Sequence, residues 1–431
     1  MELRAHQLPR DHPQRIELAN EVHARPPEAL KTPARATYVA VTVTRKEREE
    51  ERAHLVTLCE QFGAPPPSGD ANHFATQMGE LRLKWERHAE FSGYAFHVHG
   101  LGPREFDAPA TTFLPEGWLA AIPGQTIVAA HAVVVKYDEE KSYSSFIDRC
   151  FPTSAVVGAE IGEGTGFAFT DFLIHEDGYE RFLVLDRDLT PRQAGRMSQR
   201  LFEIEAYRVM ALLALPIARA QAPRAADVEQ SLAVLTEQIA QDQGGDEALL
   251  ANLTNLAARI ENAIDASQYR FSAGRAYYDL VRSRIDEMRE RPLSGIQTID
   301  EFMTRRLAPA MATCATVSQR LRDLSERVAQ ASGLLSTRVE IVREKQNQAL
   351  LASMDRRARL QLRLQETVEG LSVAAITYYG AGLVGYIARG VNAIGFPVDH
   401  EIAVALAIPV MAVLVALALK RVRRKIGSEP A

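Results

Sequence analysis

The sequence predicts an α+β N-terminal domain, a long coiled-coil-like α-helical stalk and a C-terminal two-helix transmembrane hairpin. Three observations carry this expectation. Alternating, β-branched segments recur as far as Asp186, apolar residues fall at spacings of three and four from Ala226 onward, and two apolar segments free of charge close the chain, Leu371–Ala388 and Ile402–Leu419. The expected divisions are an α+β domain over residues 1–220, a helical stalk over 226–368, a first span over 369–389, an external loop over 390–401, a second span over 402–419 and a basic tail over 420–431.

The first stretch, LPRDHPQRIELANEVHARPPEAL, carries a short helical pattern that places Ile16, Leu18 and Val22 near one another before it ends at Pro26-Pro27. Tyr38–Thr44 alternates and is rich in β-branched residues, so it predicts a strand. Arg45–Phe62 predicts a helix, with Leu55, Leu58 and Phe62 on one face and a stop at Gly63. The acidic residues in Lys46–Glu51 then fall on a solvated helix face. Strands follow in His73–His88 and Gly93–His99, three short ones in all, and a longer buried one in Thr126–Tyr137. Ser154–Ile161, Phe167–His175 and Tyr179–Asp186 add three more, the last two joined through Asp177-Gly178, a hairpin signal. Thr190-Pro191-Arg192-Gln193 has capping-box spacing with proline at the first helical position, and the helix it opens runs through Leu201, Ile204 and Tyr207 to Leu215.

From Ala226 the pattern changes. Val228, Leu232, Leu235 and Ile239 form one seam, and after Gly244-Gly245 the residues Leu249, Leu253, Leu256, Ile260 and Ile264 form another. Beyond Pro309 no proline occurs until Pro397, so one helix is expected to run to Arg389, on the order of 120 Å at about 1.5 Å per residue.

Composition bounds the function classes. The net charge of −5 supplies no basic field, which leaves nucleic-acid binding without support. Cys59, Cys150 and Cys314 are odd in number, widely spaced and form no CxxC, the pattern of packed, reduced thiols. The N-terminus has charges and prolines where a signal peptide needs an apolar run.

Both C-terminal segments approach the length of a membrane-spanning helix. A buried core hairpin is the alternative, but such helices keep a polar stripe, and charge is absent here from every face. Arg356, Arg357, Arg359 and Arg363 precede the first span, and Lys420, Arg421, Arg423, Arg424 and Lys425 follow the second. The positive-inside rule then places both termini in the cytoplasm and the loop outside. Gly380, Ala381, Gly382 and Gly385 form a small-residue face for helix packing, either onto the second span or between copies.

Chemistry is sparsely marked. His97 and His99 stand two apart on a strand, so both project to one face and two imidazoles there are a candidate metal site. No acidic or cysteine partner sits at a ligand spacing, so a polar sheet face is the plainer reading. Gly162-Glu163-Gly164-Thr165-Gly166 precedes an alternating segment rather than a helix, which makes it a hairpin turn instead of a phosphate loop. No nucleophile elbow, P-loop or zincin helix occurs, and no enzyme is expected. In the external loop, Asn392 follows the first span and Asp399 and Glu401 precede the second, a candidate pore mouth for a hydrated divalent cation. An ordinary short loop is the alternative.

Two resemblances follow from these residues. HPQRIELANEVHARPPEAL and MDRRARLQLRLQETVEGLSVAAITYYGAGLVGYI resemble a family of bacterial membrane-anchored proteins of unknown function, along essentially the whole chain. That resemblance implies architecture and an inner-membrane location, and no activity. The overall plan is also similar to the CorA-type magnesium transporters, with Gly390-Val391-Asn392 at the place of their Gly-Met-Asn motif. It departs from that motif in its central valine and lacks the usual preceding aromatic residue. That likeness implies a homo-oligomer, a pore lined by the first spans, and magnesium or another divalent cation. The expected function is a membrane-anchored cytoplasmic sensor or scaffold without a cofactor, with the bilayer and further copies of itself as partners. A CorA-like cation channel is the second expectation and an anchored enzyme the third.

Overall fold

Alternation of small and large residues sets the centre of the N-terminal unit. The computed structural model describes residues 10–21, 26–69, 71–241, 243–395 and 398–426. Helix α1 (Arg15–Glu21) leads to strand β1 (Ala34–Thr42), helix α2 (Glu47–Gln61), and strands β2 (His73–Met78), β3 (Leu81–Arg87), β4 (Phe91–His99) and β5 (Gln125–Lys136). Helix α3 (Tyr143–Cys150) and strands β6 (Val157–Ile161), β7 (Gly166–Thr170) and β8 (Glu180–Asp186) complete an eight-stranded sheet of order β2-β3-β4-β1-β5-β8-β7-β6. All neighbours are antiparallel except β5 and β8.

Period-two alternation divides the core between the two faces. One face presents Ala34, Ala36, Tyr38, Ala40, Ala130, Ala132 and Phe182 to helix α4 (Pro191–Leu212). The run of alanines lets that helix approach the sheet closely. The other face carries Val39, Leu83, Trp85, Tyr94 and Phe96 with Leu55 and Leu58 of α2, and farther along Val133, Phe167, Phe169 and Leu183 with Phe146 of α3. Helix α4 starts as expected, Thr190 accepting from the Gln193 N–H and Gln193 reaching back to the Thr190 N–H. Gly63, at a φ of +62°, ends α2.

The structure differs from expectation in several places. Strand β7 stops at Thr170, where His175 was the predicted end. Thr170 Oγ1 accepts the Phe172 N–H at 3.1 Å and Asp171 Oδ1 accepts that of Leu173 at 3.2 Å, so local side-chain bonds divert the backbone from the ladder. Strand β1 begins at Ala34, four residues before its strongest alternation. Helix α3 has no counterpart in the expected elements. Glu51 lies on no solvated face: it is fully buried, and its Oε1 accepts both Trp85 Nε1 at 3.0 Å and the Tyr94 hydroxyl at 2.9 Å.

Beyond Leu213 come helices α5 (Ala214–Ala240), α6 (Asp246–Met288), α7 (Ile299–Arg306), α8 (Ala308–Ala393) and α9 (His400–Ile426). Val228 and Leu232 of α5, Leu253 and Ile260 of α6, and Leu321 and Leu324 of α8 are buried, as their seam spacing requires. The second half of α6 instead joins the sheet core through Val281, Ile285 and Met288. A three-four seam serves a stalk and a domain core equally well. The chain divides into Met1–Ser332 and Gly333–Ala431.

In the second unit, α8 and α9 each contain a segment long and apolar enough to cross a membrane. Val22, Pro397 and residues 427–431 of the expected tail lie outside the described residues.

Candidate functional site

The expected site residues occupy four different settings. His97 and His99 do share a face of β4, opposite Ala36 and Ala34. His97 is buried, whereas exposed His99 lies with Nδ1 3.2 Å from the Lys31 carbonyl at the strand end. Asn392 is exposed at the end of α8, its carbonyl accepting the Gly395 N–H at 3.2 Å. Asp399 caps α9, with Oδ1 3.0 Å from the Glu401 N–H. Glu401 is exposed in the first turn of α9. Among the described residues no group of three or more His, Cys, Asp or Glu is arranged to hold a metal ion. Of the small residues, Ala381 and Gly385 are buried and Gly380 is partly so, while Gly382 is exposed with open space around it. A side chain at Gly380 would collide with the Met411 methyl, and one at Gly385 would meet Val404 at 2.9 Å. Gly380 and Gly385 therefore lie on the face turned to α9.

His97 belongs to a polar cluster that sequence reasoning did not assemble. Arg82, Lys84 and Glu86 alternate along β3 with core residues Leu81, Leu83 and Trp85, so their side chains share one face. Helix α4 covers that face with Gly195, Gln199 and Phe202, spaced four and three apart on one side of the helix. The remaining wall is residues 26–31, which contain the PPEAL stretch of the first resemblance. Its Glu28 carboxylate takes a bidentate pair of bonds from Arg82, Nε to Oε2 at 3.1 Å and Nη2 to Oε1 at 3.0 Å. Leu30 is buried, and its N–H donates to the Pro191 carbonyl at 2.9 Å. Gly195 is required here because a Cβ would collide with the Glu28 carbonyl oxygen.

Inside this wall Lys84 Nζ lies 3.1 Å from Gln199 Oε1 and 3.1 Å from Glu86 Oε1. The Gln199 amide donates to Glu203 Oε1 at 2.6 Å, and Glu203 pairs with Arg284 of α6. Tyr38 stacks on Phe202 with ring centroids 5.1 Å apart. Burial raises the Tyr38 phenol well above its usual range, with Tyr207, Glu86 and Glu203 adding to the rise. His97 is 7% exposed, and burial lowers its pKa to about 4, so the ring is neutral at pH 7. Its Nδ1 has no hydrogen-bond partner. Glu28, Lys84, Glu86, His97 and Gln199 line a cavity of about 20 Å³, room for one water-sized group.

A second buried cluster flanks α4 nearer its C-terminal end. Arg208 pairs with Glu205 and lies 3.2 Å from Glu180 Oε1, while His175 Nε2 lies 3.1 Å from Asp171 Oδ2. Burial and then the neighbouring Glu205 raise the Glu180 carboxyl to about 9. Glu180 and Glu205 thus share one guanidinium, and their mutual repulsion favours a proton on Glu180.

Fold and cluster together define a mixed-sheet protein packed with helices, continued by a long helix and ending in an apolar one. The chain belongs to the family described as Protein of unknown function (DUF3422), whose model matches residues 10–426. No curated protein and no solved structure matches it.

Proposed function

We propose that the protein is a membrane-anchored sensor or scaffold whose sheet unit lies in the cytoplasm and whose two C-terminal helices form a hairpin in the bacterial inner membrane. The observation that carries this reading is apolar surface on α8 and α9. Leu371, Tyr378, Leu383 and Leu406 are each 65–76% exposed, in segments long enough to span a bilayer. So much exposed hydrocarbon needs lipid or further protein around it. Cytoplasmic ends are the reading supported by the arginines before the first span and the lysines and arginines after the second. The contacts of Met411 with Gly380 and of Val404 with Gly385 support packing of one span on the other.

A pore reading after the CorA plan puts that same small-residue face toward an axis between copies. Its occupation by α9 favours the anchor. A homo-oligomer remains compatible with the anchor through α8, where every residue from 341 to 368 is exposed.

The test is fractionation. The full chain is expected to stay in membranes through an alkaline carbonate wash, and the chain truncated after Ser332 to be released. Carbonate release of the full chain would remove the anchor. Divalent flux in liposomes that Asn392→Ala abolishes, with assembly unchanged, would replace it by the channel.

A further inference from the structure

We propose that the pocket between β3, β4 and α4 is a binding site for a small hydroxycarboxylate, held closed by residues 26–31 with Glu28 in the place of the ligand's carboxylate. The proposal rests on the sensor reading, for which it names the ligand class.

Arg82 already binds a carboxylate there in two-point geometry, the arrangement a guanidinium makes with a free acid. That carboxylate comes from a segment without helix or strand, in which Pro26, Pro27, Ala29 and Lys31 are exposed. The segment is held by Leu30, by the Arg82 pair and by the shelf at Gly195.

Beside Glu28 lies a water-sized cavity with two groups that bind a hydroxyl. His97 Nδ1 is buried and without a partner, and Lys84, also buried, carries one N–H beyond those aimed at Gln199 and Glu86. The carboxylate seat plus one adjoining oxygen matches an acid bearing a hydroxyl next to its carboxyl group. A neutral His97 accepts from that hydroxyl when Nδ1 lacks the proton, and Lys84 donates to it. An external acid competes with a tethered carboxylate whose effective concentration is in the millimolar range or above, so the closed form binds weakly. Its apparent affinity falls by the fraction of molecules in which the segment is displaced.

The experiment is isothermal titration of the full chain in detergent with glycolate, at pH 7 and constant ionic strength, with acetate and inorganic phosphate as comparison anions. Glu28→Ala removes the tethered carboxylate. Gly195→Ala displaces the segment without removing any polar side chain from the chain, so two unrelated variants open the same site. Both are expected to bind glycolate at least about tenfold more tightly than the natural chain, and more tightly than acetate. Adding Arg82→Gln to Glu28→Ala is expected to abolish binding, and adding His97→Phe to erase the preference for glycolate over acetate.

The proposal is overturned if Glu28→Ala, folded by circular dichroism, binds no glycolate. Binding that survives Arg82→Gln, or that phosphate matches, overturns it equally. Fractionation and titration fail independently: a chain washed off membranes loses the anchor and keeps the site, and a chain that binds nothing loses only the site.

Discussion

Glu51 sits at a position that helical spacing assigns to solvent, yet its carboxylate accepts from Trp85 and Tyr94 in the core beneath α2. Glu51→Ala leaves two buried donors unmatched and is expected to lower stability by roughly 3 kcal/mol, against about 1 kcal/mol for Glu51→Gln. Urea unfolding followed by tryptophan fluorescence measures both. Glu180 gives a test with the opposite sense. Its folded pKa is raised, to about 9, so the folded state holds a proton that the unfolded chain releases in the ordinary carboxylate range. Stability from this group is fully present below pH 4.5 and falls as pH rises toward 9. Glu180→Gln is expected to flatten the fall in unfolding free energy between those values. An unchanged slope would show that the proton is not held there.

At the scale of elements, most of what could be read in the sequence was local. The capping box at Thr190, the stop at Gly63 and the strand signals of β3 to β5 all act within a few residues, and each is present. Thr190→Ala is expected to cost about 1 kcal/mol through loss of the cap. What the sequence does not display is which face a distant element covers. Arg82, Lys84 and Glu86 have the spacing of a solvated strand face until Gly195 and Gln199 of α4 are laid over them. Glu28 becomes their partner only through a glycine 167 positions along the chain. His97 was visible as chemistry, but its neighbours were not. The small residues of α8 divide in the same way: Gly380→Val is expected to disturb α8–α9 packing, seen as a lower melting temperature in detergent. Gly382→Val, in open space, is expected to leave it unchanged.

Across the whole molecule, the proposed place in a membrane rests on the exposed hydrocarbon of α8 and α9 more than on any cluster of side chains. The three buried, unpaired cysteines bring a practical benefit, since thiol reagents in mild conditions see only thiols added deliberately. The proposed arrangement is a two-span hairpin with its loop outside and both flanks in the cytoplasm. It is tested most directly by labelling single added cysteines, Asp399→Cys in the loop and Gly333→Cys on the α8 side, with a membrane-impermeant maleimide on intact and then opened cells. The account predicts that Asp399→Cys labels in intact cells and Gly333→Cys only after opening. Labelling of both positions from the same side would contradict it.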